Sequence, residues 1–259
     1  MNKQSAIHAL ILVTLFGWLL VPEPLQGWLF FPVWIGACWL IFTGSREAAL
    51  LRRRTWLDQY LLANSPWHRL LRGGALMTAW HLLLAALLSL FMLVKLLVLS
   101  PWLWLVLLLN LPMLLVLTRA LTARMRAHIK PASLPALVRR FVVPLNVALL
   151  TLVYLVVTLN LPQPDMQGQT WNEAVAVHLD AASSQLALLA FFERSYLLVD
   201  LTLQWALQNT MGDTDRNGGL ALVGWSLLML TGSAFIWAYV RVLVGADALF
   251  RGASIDEQA

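Results

Sequence analysis

The chain predicts an all-α integral membrane protein of about six transmembrane helices in three hairpins, with amphipathic interfacial helices on both faces. Three observations carry this expectation. Charged residues make up 12% of the 259 residues, against roughly 25% in a soluble domain. Apolar residues make up 60% and gather into long runs that a soluble core of this size does not need. The basic residues, finally, crowd into two of the segments between those runs. The 13 tryptophans suit the same setting, because indole favours the layer where its ring is buried and its N–H stays wet.

A helix crosses the hydrocarbon core in about 20 residues. Such runs are Ala6–Val21, Gly27–Thr43, Ala75–Leu99, Pro101–Leu117, Phe141–Leu161 and Leu220–Val240. The first two are a little short, which a smaller tilt or borrowed flanking residues accommodate. Barrel strands would alternate over about ten residues, whereas these runs are continuous and Leu-rich. Lys3 gives the first run a weakly basic start, yet Val21-Pro22-Glu23-Pro24 offers no small-x-small cleavage site. An uncleaved helical hairpin is the expectation, within one polytopic domain over residues 1–259.

The loops set the orientation. Segment 45–74 carries Arg46, Arg52, Arg53, Arg54, Arg69 and Arg72, and segment 119–140 is comparably basic. With Lys3, Arg241 and Arg251 on the same side, only Lys95, Arg194 and Arg216 of the 18 basic residues fall opposite. Positive charge is retained on the cytoplasmic face, so both termini are expected there, in a membrane of bacterial inner-membrane type. Within 45–74, leucines at helical spacing beside Arg52, Arg53 and Arg54 predict a surface helix touching anionic headgroups. A protein partner is the alternative for this segment. Nucleic acid is not an expected partner, because the basic excess already has its cause in topology.

On the other face, 162–219 reads as a helical insertion. Glu193, Asp200, Gln204 and Gln208 fall seven, four and four residues apart and share one helical face opposite leucines. A crossing by Gln185–Leu207 would place Glu193, Arg194 and Asp200 in lipid, where a charge costs about 2.5–3.5 kcal/mol at mid-depth. A helix lying on the outer leaflet, with Glu193, Arg194 and Asp200 as its polar face, is therefore preferred.

Motifs for chemistry are weak. Asp213–Gly218 resembles the opening of a calcium loop, but its twelfth position is Gly224, so an ordinary turn is expected. Glu173, His178 and Asp180 lack the three-or-four spacing that makes helical ligands converge. A haem held by His8 and His81 would need two helices to meet at one depth. No cofactor or metal is expected, an enzyme is not the favoured class, and no family resemblance emerges from these residues.

Two asparagines stand inside spans, each two residues from a proline: Asn110 with Pro112, and Asn146 with Pro144. Proline removes a helical hydrogen bond and frees a carbonyl, which lipid leaves to internal partners. Bonds between helices and an aqueous path are the two readings of these four residues. Hence the expected function is a non-catalytic subunit, an assembly or scaffold component of a larger membrane complex. Protein partners or self-association would accompany it. The alternative is a channel or transporter whose polar path uses the kinked fourth and fifth helices.

Overall fold

A computed structural model describes residues 3–60, 65, 75–131, 133–162, 164–179, 184, 186–210 and 218–256. Side chains are described for 6–22, 24–46, 49–50, 65, 77–131, 133–158, 160–162, 164–179, 184, 186–209, 229–247 and 249. Among the described residues the fold is all-helical, and five helices are long and apolar enough to cross a membrane. The chain is an all-α, multi-pass membrane protein. The elements are α1 (Lys3–Leu20), α2 (Glu23–Tyr60), α3 (Ala75–Leu97) and α4 (Pro101–Met125). They continue with α5 (Leu134–Asn160), α6 (Trp171–His178), α7 (Ala187–Thr210) and α8 (Gly218–Asp256). The five apolar stretches are Pro24–Arg46, Met77–Leu97, Pro101–Met125, Leu134–Thr158 and Met229–Asp247; α1 supplies a shorter one, Ala6–Leu20.

Local chemistry sets the helix starts. The Pro22 carbonyl accepts from the Leu25 and Gln26 amides, opening α2 straight after α1. Pro101 sits in the first turn of α4, where a missing N–H costs nothing. Pro112 and Pro144 lie inside α4 and α5, which run unbroken through them.

Segment 45–74 departs from expectation. In place of a separate surface helix, residues 45–60 prolong α2 without interruption to Tyr60. The reason is local: the first proline after Thr43 is Pro66, so nothing in 45–60 ends the helix. The side chains of Arg52, Arg53 and Arg54 lie outside the described ones.

Helix α8 is the hub, packing on α1, α2, α3, α5 and α7, while α4 packs on α5 and α1. Phe235, Ile236, Ala238, Tyr239, Val240 and Leu243 of α8 are completely buried. The helix comes this close to α2 because two glycines face each other. A Cβ on Gly44 would lie 3.2 Å from the Gly245 Cα, and one on Gly245 would collide with the Leu40 carbonyl. Small residues let membrane helices approach in this way. Nearby, His8 Nε2 of α1 lies 3.3 Å from Asp247 Oδ1 of α8, both buried. These contacts mark the basic end of the bundle, where Arg119, Arg126 and Arg139 share a recess with Asp247.

Helix α7 lies across the opposite end. Leu186, just before it, approaches Gly27 at the start of α2. Tyr196 in its middle meets Phe91 and Lys95 of α3. At its end, the Gln208 side chain accepts from the Met166 amide at 2.7 Å, and Asn209 accepts from Gly168 N–H at 3.0 Å. Gly168, at φ +72, takes the left-handed turn that brings its amide there. Helix α6 clamps the arrangement from the far side. Ala174 packs with Met166 and Leu201, and Trp171 Nε1 donates to Thr202 Oγ1 at 3.1 Å.

Candidate functional site

The polar face of α7 is real as a helical face, but it turns inward. Glu193 is buried, accepting from Ser184 Oγ at 2.6 Å and from the Ser184 amide at 3.3 Å. Arg194 does not join it and is exposed. Its neighbours on the surface are Leu188, Phe191 and Val199, so the outward face is largely apolar. The inversion has a physical cause. The backbone of loop 164–170 and the Lys95 ammonium need polar partners, and α7 supplies them.

Lys95, one of the three basic residues that the sequence places opposite the cytoplasmic face, is drawn into this network. Its Nζ donates to the Tyr196 hydroxyl and stands 4.6 Å from that ring's centre. The same hydroxyl donates to Asp200 Oδ1 at 3.3 Å, and Gln204 Nε2 donates to Asp200 Oδ2 at 2.9 Å. A cation and a carboxylate on different helices are thus tied through one phenol.

This network borders a cleft of about 670 Å³ roofed by α7 and floored by α3, α4 and α5. Lys95, Tyr154, Thr158 and Asp200 also line a much smaller space of about 30 Å³, with room for little more than a water molecule. Thr151 closes that space on one side, and also lines a third cavity of about 540 Å³ between α2, α5 and α8. The three spaces lie in series along α5, from Thr158 down to Ala136 at the basic end. Hydroxyls recur along the way: Thr158, Tyr154 and Thr151 from α5, Thr231 and Ser233 from α8. Among the described residues Thr151 Oγ1 is buried without a hydrogen-bond partner, and a buried polar atom of that kind calls for a polar partner. Seam positions on α5 recur every three or four residues, as one helical face must.

The asparagines lie off this seam. Asn146 Nδ2 donates to Asn110 Oδ1 at 2.9 Å, both fully buried between α4 and α5. Beside them Tyr239 of α8 donates to the Leu107 carbonyl at 2.8 Å. That carbonyl is one residue before Leu108, the one Pro112 leaves without its helical donor. Together they tie α4, α5 and α8 at mid-length, and none of the three spaces is lined by either asparagine. Pro144 does line the inner cavity.

Of the other sequence candidates, His8 faces Asp247. Glu173 belongs to the cap of α6: its Oε2 accepts from the Thr170 amide at 2.9 Å and hydroxyl at 2.8 Å. The backbone bond, seconded by the hydroxyl, holds its carboxyl below the usual carboxylate range. Asp180 and the loop 213–217 lie outside the described residues.

Sequence reading missed Lys95, Tyr196, Thr151, Tyr154 and Thr158. The signal was present as Thr151, Tyr154 and Thr158 on one face of a Leu-rich span. No protein-family model, no curated protein and no solved structure matches this chain.

Proposed function

We propose that this chain is a membrane transport protein that moves a small polar solute along the seam between α5 and α8. Six crossings in three hairpins, with both termini in the cytoplasm of a bacterial cell, complete the reading. What carries it is the series of three spaces, two wide and one narrow, sharing Lys95, Tyr154, Asp200 and then Thr151. Two vestibules meeting at a constriction are what alternating access or gating requires. Lys95 and Asp200 present both charges to the outer cleft, which fits a zwitterionic or hydrogen-bonding solute. The path differs from one through Asn110 and Asn146, whose side chains are engaged with each other.

The test is osmotic swelling of proteoliposomes in a panel of neutral, zwitterionic and anionic solutes. At least one class should enter faster than into empty liposomes, and T151W should remove the excess by plugging the narrow point. Uniform impermeability across the panel would sink the proposal.

A second reading, a subunit or scaffold of a larger complex, is supported by the length of two helices. Helices α2 and α8 have 38 and 39 residues, and each at 1.5 Å per residue reaches roughly 57 Å, against about 30 Å of hydrocarbon. Their prolongations past Arg46 and Asp247 offer a partner a helical surface at the basic end. Stoichiometric co-purification of another protein in mild detergent would favour that reading, and its loss on deleting residues 50–60 would locate the contact.

A further inference from the structure

The inner cavity has a second character. Its walls are Val143, Val147, Ala148 and Val244, and three arginines, Arg139, Arg140 and Arg241, line its mouth. Arg140 is exposed, Arg139 and Arg241 are half-buried, and the Arg241 guanidinium stands 5.7 Å from the centre of the Trp237 ring. Trp237 is itself 47% exposed, one helical turn before Arg241, and tryptophan is enriched where headgroups meet acyl chains. Apolar walls, three cations at one end and a flanking tryptophan match an amphiphile with an anionic head.

We propose that this groove binds one anionic phospholipid from the leaflet at the basic end. Its phosphate meets Arg139, Arg140 and Arg241, and an acyl chain lies along Val143, Val147 and Val244. A lipid is the occupant the geometry selects over a free anion, because a bare phosphate would use the arginines and leave the apolar walls uncovered. The site stands independently of solute transport. If the seam conducts, a lipid seated here occupies its inner vestibule, and lipid composition then regulates the path.

Native mass spectrometry of the delipidated full chain in neutral detergent tests this, after incubation with phosphatidylglycerol, phosphatidylcholine or inorganic phosphate. The wild type should retain one phosphatidylglycerol per chain in preference to phosphatidylcholine. R140Q/R241Q should lose that adduct by about tenfold or more, the weight of two basic contacts near the headgroups. R140K/R241K should recover part of it. The control R124Q/K130Q, which alters basic residues outside the groove, should retain lipid as the wild type does. Equal retention of the two lipids by the wild type, equal loss in the control, or displacement by millimolar phosphate would each overturn the proposal. Bound lipid is read without any flux, so failure here is separable from failure of the transport reading.

Discussion

At the scale of single residues, several polar side chains of the bundle are tied to one another, as in the pair Asn110–Asn146 and the chain Lys95–Tyr196–Asp200. Asn110 and Asn146 illustrate what that implies. Replacing one leaves the other buried without its partner, which costs about 1–3 kcal/mol, whereas removing both removes the demand as well. N146L is therefore expected to lower the unfolding midpoint in detergent more than N110L/N146L does; additive losses would show that the pair is not a unit. Lys95 instead joins α3 to α7, where its partner Tyr196 lies. K95L should loosen α7 from α3, seen as faster amide exchange at Tyr196–Gln204, and unchanged exchange there would deny the network its structural role. The asparagines were legible in the sequence because an amide in a run of leucines stands out. Lys95 was not, since its partners lie some hundred residues away and only tertiary folding brings them together.

At the scale of elements, the α2–α8 contact depends on the absence of side chains. G245A should drive the helices apart and lower stability, because its Cβ meets the Leu40 backbone. G44A meets Gly245 at 3.2 Å and should cost less. G36A, with nothing within 4 Å, should be neutral or gain up to about 1 kcal/mol from helix propensity. Thermal unfolding of the three variants checks the order. Helix α6 offers a pH test. Its capping carboxylate, Glu173, has a folded pKa below its unfolded value. The cap's contribution is therefore present above the unfolded value and is lost as pH falls through the folded one. Amide exchange at Val175–His178, corrected for intrinsic pH dependence, should lose protection on acidification below the ordinary Glu range of about 4.3, and protection indifferent to acidification would contradict the cap. Helix existence was legible from the length of the apolar runs. The run of α2 to Tyr60 was less so, because its arginine-rich extension also suits a surface helix. In α7, Glu193, Asp200, Gln204 and Gln208 share a face that Arg194 does not join, and whether that face turns toward solvent or toward Lys95 is decided by neighbours the local pattern does not contain.

At the scale of the whole molecule, the membrane class followed from composition, whereas the seam did not, because it needs α5 and α8 in register with each other and with α3 and α7. The account's central claim is that this seam runs through the bilayer with Thr151 at its narrow point. Single cysteines in a Cys38→Ser background, probed with a membrane-impermeant charged thiol reagent from each side, test it most directly. Cysteine at Thr158 should react from the α7 side only, and cysteine at Ser233 from the basic side. Cysteine at Thr151 should react slowly from at least one side. Leu152, 62% exposed on the lateral surface, should stay unlabelled as a lipid-facing control. A Thr151 cysteine as inert as the one at Leu152, alongside a reactive Thr158 cysteine, would mean that the seam ends blind and would contradict the account.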